Sequence, residues 1–312
     1  MNSTVIKLKY YFLGLIILFP LLSMGQDTKK TLTAYFTEVR SGKYQAIPKH
    51  LFQPENTKAT LALLAPYLSD TSVIVRAKAY AIVQLAGNTA RQDNLREEAV
   101  TKLADAVKDH DSGNVGLALG YLQGFRKADF TTATKDTLLT IFKRRSAHLS
   151  DLIRLLGFLE LTSARDQLRD LAQQSTGSRN DRWAALLALS RMGDRYAIED
   201  VMKRVRKLPV NDDVVYQIYP DLVYTRQPEA IASLLTVLYD DAKNCESADA
   251  ERAAKIPCAY RVMEMLTPAI DGYPLKLDES GDIDTKDYVA ALQIVRDWFR
   301  NHTNYVIIKD KF

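Results

Sequence analysis

The sequence predicts an all-α protein built as an α-α superhelix, a solenoid of antiparallel helix pairs stacked in chain order. Three observations predict it. Apolar residues recur at three- and four-residue steps through most of the chain, as one buried helix face requires. Strand-type alternation is nearly absent, and the single Asp-Gly pair, Asp271 with Gly272, falls in a loop. Finally, the turn and helix of Leu68–Gly87 are echoed at Arg182–Asp194. A helix pair that recurs implies stacked repeats, an architecture of extended surfaces more often than of catalytic clefts.

Residues 1–25 read as a signal peptide outside the fold. Lys7 and Lys9 give a positive start, Tyr10–Leu22 is uncharged and largely apolar, and Ser23 and Gly25 are the small residues a signal peptidase inspects. Cleavage before Gln26 suits this pattern. The apolar run falls short of the roughly 20 residues a membrane span needs, and Pro20 interrupts it. No Cys follows it, which disfavours a lipid anchor, and no later segment approaches spanning length. A secreted or periplasmic chain without a transmembrane segment is expected.

A first helix around Lys30–Arg40 and a loop with Pro48 and Pro54 make up an N-terminal section, 26–56. The repeat array is placed at 57–270. Its first pair is Thr57–Leu68 with Val73–Leu85, whose apolar face is Val75, Ala79, Ile82, Val83 and Ala86. Leu95–Val107 pairs with Val115–Phe125, Thr134–Lys143 with Ser150–Leu161, and Ala164–Gln173 with Asp181–Met192. Ala197–Arg206 then pairs with Asp212–Tyr224, and Glu229–Asp241 with Cys258–Ile270. Residues 271–312 are read as an acidic loop, a last helix from about Thr285 to Asn301, and a tail extended at Tyr305–Ile308. Gly87, Phe125, Thr162, Gly193 and Thr225 mark the second-helix ends, roughly 31 to 38 residues apart, a spacing that holds two helices and two turns.

Leu68 and Asp70 followed by Val75, Arg76 and Ala79 resemble HEAT and HEAT-like (ARM-type) repeats. So do Arg182, Ala184, Ala185, Ala188, Leu189, Gly193, Asp194, Ala197 and Ile198. The likeness spans 57–270 and is carried best by the first and fourth repeats. It implies that an Asp at the intra-repeat turn and an Arg early in the second helix support a ladder between repeats. Asp70 with Arg76, and Asp181 or Arg182, would hold those posts. The second repeat departs, with Asn114, Val115 and Gly116 where the Arg belongs, and the third has Leu152, Ile153 and Arg154.

Catalytic signatures are missing. His50, His110, His148 and His302 lie far apart, and no nucleophile elbow, phosphate-binding loop or dinucleotide fingerprint occurs. Asp109, His110 and Asp111 sit in a turn between paired helices, where capping is the expected task. Asp278, Asp282 and Asp284 place oxygens at alternate positions as calcium loops do. Ile283, however, stands where the turn glycine belongs and Val289 where the bidentate Glu belongs. No metal is therefore assigned and no cofactor is expected. Asp284 is read instead as the cap of the last helix. Cys245 and Cys258, an isolated pair in an exported chain, are expected to form a disulfide pinning the linker 242–257.

The chain has 42 Lys+Arg against 38 Asp+Glu, a formal charge of +4. Two of the lysines and none of the acids lie in the leader, so the rest is near +2. The densest basic clusters, Lys143–Arg145 and Lys203–Lys207, read as solvated helix ends, and nucleic acid is not an expected partner. What remains is recognition: a non-enzymatic scaffold of the cell envelope that binds a protein or peptide along its second helices. Arg76, Tyr80 and Gln84, each four apart, form one contact face, and Tyr216 and Tyr219 lie further along. A carbohydrate- or cell-wall-binding module is the alternative, and a helical-array enzyme without recognisable acids the third.

Overall fold

The computed structural model describes residues 25–43, 45–144, 147–176, 178–247, 254–278 and 282–312. The leader up to Met24, Arg145 of the first basic cluster and Glu279–Gly281 of the acidic loop lie outside the described residues. The described chain is all-α apart from one pair of two-residue strands, and helices adjacent in sequence pack on one another. It divides into two compact units, one ending at His148 and one starting at Leu149.

In the first unit, a helix occupies 25–40 (α1). α2 (Thr57–Leu63) and α3 (Ala65–Leu68) pack on α4 (Val73–Thr89), and α4 packs on α5 (Asp93–Ala106) and α6 (Ser112–Leu122). α7 (Thr132–Lys143) covers α5. The helix expected over Thr57–Leu68 is thus split at Leu64. Pro66 opens the second piece, where its missing N–H leaves no bond unmade.

The apolar face of α4 is the expected one, with Val75, Ala79, Ile82, Val83 and Ala86 all inaccessible to solvent. Leu85 is half-buried rather than core, because it leans off that stripe. Gly87 does not end α4, which continues for two more residues. A Cβ there would meet Ala99 Cβ at 2.5 Å and the Phe125 ring at 2.8 Å, so glycine is what lets α4 and α5 approach.

In the second unit, α10 (Arg179–Arg191) is central. It packs on α8 (Leu149–Phe158), α9 (Arg165–Gln173), α11 (Arg195–Val205) and α13 (Tyr219–Thr225). α12 (Asp212–Gln217) leads into α13, and a break at Ile218 ahead of Pro220 repeats the proline logic of α3. α14 (Pro228–Leu238) packs on α13 and α15 (Ala259–Leu266), and α16 (Tyr288–Asn301) closes on α15. The Cys245–Cys258 disulfide is present, joining β1 (Cys245–Glu246) to the first-turn boundary of α15. β1 pairs antiparallel with β2 (Lys255–Ile256). The tail is extended as expected, with Ile307 bridged to Ile270.

The second unit also repeats a turn. Glu160, Gly193 and Arg226, 33 residues apart, all take left-handed backbone (φ 52°, 80° and 52°) at the ends of α8, α10 and α13. After Glu160 and Gly193 the next N–H returns to the carbonyl five residues back, Leu161 to Leu156 and Asp194 to Leu189. That satisfies carbonyls the helix end leaves open. Left-handed backbone costs a residue with a Cβ about 1 kcal/mol or more, so two non-glycines at this place report a turn imposed by packing.

Candidate functional site

Arg76 sits one turn into α4 and Tyr80 one turn further, so both project over the loop between α5 and α6. There Asp109 receives them. Its two oxygens accept from Arg76 Nε and Nη2, each at 2.7 Å, and Oδ2 also accepts from the Tyr80 hydroxyl at 2.8 Å and Asn114 Nδ2 at 3.0 Å. The carboxylate further accepts from the Asp111 N–H at 2.8 Å. Arg76 Nη1 donates to the carbonyl of Asp70 at 2.8 Å.

The electrostatics follow from this knot. The Arg76 guanidinium holds the Asp109 carboxyl below the usual carboxylate range, against the effect of burial. Burial, reinforced by the neighbouring Asp109, pushes the Tyr80 phenol up. Tyr80 is 4 % exposed and its polar end is committed to Asp109. A cleft of about 580 Å³ opens beside the knot, bordered by Asp70, Arg76, Asp105, Lys108, Asp109 and His110. Gln84 is half-buried one turn beyond Tyr80 and takes no part.

The same pairing occurs one layer earlier. Asp70 accepts from Arg40 at 2.5 Å and from the Ser72 N–H at 2.9 Å, matching the bonds of Asp109 to Arg76 and Asp111. Arg76 therefore takes its carboxylate from the turn of the next helix pair, Asp109, and only a main-chain carbonyl from Asp70 in its own. Arg96 and Asp129 form a further pair at 2.9 Å, with the same 33-residue separation as Arg76 and Asp109. The Asp109–Asp111 turn divides its work: Asp111 caps α6 through the Asn114 N–H, and Asp109 binds the cation.

In the second unit Asp221 accepts from Arg154 Nη1 and Trp183 Nε1, both at 2.6 Å, and Asp194 accepts from Arg169 at 2.8 Å while capping α11. Arg154, in the repeat whose sequence departs from the pattern, thus has an aspartate. Arg182 donates to the Ser175 carbonyl at 3.4 Å. Asp194 is held below its ordinary range although burial opposes ionisation, because Arg169 and the Ala197 N–H stabilise the charge.

Tyr219 is buried in α13 at 5 % exposure, since the kink at Ile218 turns it inward; burial pushes its phenol up. Tyr216, before the kink, is 52 % exposed. Arg261 of α15 lies over the Tyr216 ring at 5.4 Å and reaches Glu264 at 3.6 Å. Its Nε is buried without a hydrogen-bond partner among the described residues. Glu264 accepts from the Tyr288 hydroxyl at 2.9 Å, and Tyr288 meets Tyr260 edge to face at 6.0 Å. Sequence reading found Tyr216 but not Arg261, Tyr260 or Tyr288, which come from elements far along the chain.

The acidic loop is tied back on itself. Asp278 N–H donates to the Asp282 carbonyl at 2.8 Å, Asp282 N–H to Asp278 Oδ1 at 3.1 Å, and Leu277 bridges Ile283, which is 3 % exposed. Asp284 does not cap the last helix. Asp287 does, through the Ala290 N–H at 3.0 Å, since the helix starts at Tyr288. Among the described residues no group of three or more His, Cys, Asp or Glu is placed to hold a metal ion, and no helix is long and apolar enough to cross a membrane.

No family model, curated protein or solved structure matches this chain.

Proposed function

We propose that this chain is an exported, non-enzymatic helical-repeat scaffold of the HEAT-like type that binds a protein or peptide partner. The observation carrying the reading is the exposed Tyr216 ring held over Arg261, beside Glu264, Tyr260 and Tyr288. Tyrosine and arginine supply large, directional contacts, and both are enriched where binding energy concentrates. A ring already ordered by a cation loses little freedom on docking. The repeat reading is supported by Arg–Asp pairs separated by 33 residues in the first unit and left-handed turns 33 apart in the second. The disulfide supports export, since such bonds persist in oxidising compartments. The aspartates with displaced ionisation are engaged by arginines, which supports a structural role for them over catalysis.

The test is crosslinking capture from the cell-envelope fraction with the wild type, Tyr216→Ala and Arg261→Ala. Loss of one specific crosslinked partner in both variants, at unchanged helicity, supports the reading. Capture of that partner at wild-type yield by both variants overturns the assignment of this face.

A second reading, carbohydrate binding, has one observation in its favour. A cleft of about 460 Å³ at the end of α16 holds Trp298 stacked on His302 at 4.4 Å, with Asp271, Asn301 and Asn304 on its rim. Titration with soluble cell-wall oligosaccharides, followed by tryptophan fluorescence, decides it: no saturable change excludes this reading.

A further inference from the structure

Two rungs join the helices that carry the Tyr216 face. Tyr216 lies one turn after Asp212, the first residue of α12, so the two share a side of that helix. Arg261 lies one turn after Cys258, the N-cap of α15. One rung is the Arg261 guanidinium over the Tyr216 ring at 5.4 Å. The other starts at Asp212, whose Oδ2 accepts from the Glu246 N–H at 2.8 Å. Cys245, next to Glu246, continues it through the disulfide to Cys258.

The second rung depends on the sulfur bridge. The ladder between β1 and β2 holds two residue pairs, Cys245 with Ile256 and Glu246 with Lys255. A hairpin that short is marginal in water without a further bond. Cys258 makes no side-chain cap for α15, so the bridge is what ties the start of that helix to the hairpin. The body of α15 is anchored independently, with Ala259, Val262, Met263 and Leu266 buried. Cutting the bridge therefore leaves the helix in place and loosens the outward side of its first turn. The Arg261 guanidinium follows that turn, because its approach to Glu264 is 3.6 Å and its Nε has no hydrogen-bond partner among the described residues.

We propose that the Cys245–Cys258 disulfide is a redox latch on the Tyr216 face: oxidised, it holds Arg261 over Tyr216, and reduced, it lets the two part. Asp212, Cys245 and Cys258 are then positioning residues for that face. A dithiol supplies the reducing step. One of its thiolates attacks a sulfur of the bridge, and its second thiol closes the reagent's own disulfide. Cys245 and Cys258 leave as thiols, carrying the two electrons and two protons. Both cysteines are buried, so the attack waits on an opening of the short hairpin. As regulation, the latch rests on the reading of the Tyr216 face as the partner surface; as a structural device it is measured without a partner.

The experiment follows phenylglyoxal modification of Arg261 by peptide mass spectrometry, with Arg296 of α16 as internal reference. The two side chains are 17 % and 11 % exposed, and Arg296 donates to the Leu238 carbonyl, off the path of the latch. Wild type reduced with dithiothreitol and desalted is expected to react at Arg261 several-fold faster than oxidised wild type, with Arg296 unchanged. Cys245→Ser with Cys258→Ser is expected to match it, and glutathione disulfide to return the reduced wild type to its starting rate. Asp212→Ala keeps the bridge but removes its tie to α12. It is expected to raise the Arg261 rate too, and it carries the test should the serine variant not fold. An unchanged Arg261 rate in the reduced chain or in Asp212→Ala overturns the proposal. So does a rise that glutathione disulfide does not reverse, or an equal rise at Arg296, which marks general loosening. Partner capture is scored separately. Faster Arg261 modification with capture unchanged keeps the latch and removes the partner surface; lost capture at an unchanged Arg261 rate does the reverse.

Discussion

Arg76 grips Asp109 with a two-pronged hydrogen bond, Nε and Nη2 each 2.7 Å from a carboxylate oxygen, across 33 residues of sequence. The Asp109 side chain is 1 % exposed and that of Arg76 13 %, so the paired charges are largely withdrawn from water. Such a pair is dear to break from one side and of small net worth when both partners go, because the damage lies in the charge left behind. Asp109→Ala is expected to destabilise by about 3 kcal/mol, since Arg76 keeps some access to solvent. Replacing Arg76 and Asp109 together by Met and Leu is expected to cost less than that single change. Urea unfolding of the three proteins checks it; a double variant as unstable as Asp109→Ala counts against the pairing as described.

The same carboxylate makes a pH prediction. Asp109 and Asp194 have folded-state values below their unfolded ones. A depressed carboxylate contributes stability that is present above the unfolded value of about 4 and is lost as pH falls through the folded one. Urea midpoints are expected to hold between pH 5 and 7 as far as these groups are concerned, and to fall below about pH 4. Asp109→Asn is expected to flatten part of that fall. An identical acid slope in the variant would assign the loss to other groups.

The disulfide closes a loop with a sequence separation of 13. Closure of such a loop stabilises by about 3 kcal/mol in the chain-entropy model. Cys245→Ser with Cys258→Ser is expected to lower stability by that order, and reductant is expected to do the same to the wild type. Alkylation of both thiols in unreduced native protein would contradict the bond itself.

Gly157 lies where α8 crosses α10, and a Cβ there would come within 2.6 Å of Ala188 Cα. Backbone cannot swing aside as a side-chain tip can. Gly157→Ala is expected to destabilise by about 1–3 kcal/mol despite the better helix propensity of alanine. An unchanged thermal midpoint would mean that the two helices separate without penalty.

Helix placement was legible because it rests on local spacing. The stripe from Val75 to Ala86 announces its own buried face, and Cys245 and Cys258 were the sole pairing available. Pro66 and Pro220 were visible too, but not that each splits a helix in two, because proline is equally at home in a first turn. The polar sites were harder. Nothing near Asp109 in sequence names Arg76 as its cation, and helical spacing alone leaves open whether Tyr80, Tyr216 and Tyr219 pack inward or face a partner; packing buries Tyr80 and Tyr219 and leaves Tyr216 exposed. Arg261 and Tyr288 reach the Tyr216 face from α15 and α16, far along the chain, so no local pattern could assemble that face.

The even turns at Glu160, Gly193 and Arg226 carry a consequence for how such a chain can change length. If successive layers end in the same geometry, excising 161–193 joins one such turn to the start of an equivalent layer, and duplicating it inserts a layer between two compatible neighbours. Register is then counted in modules rather than in residues. An insertion of 33 residues at Gly193 is a gentler edit to this fold than an insertion of two residues in the middle of α10.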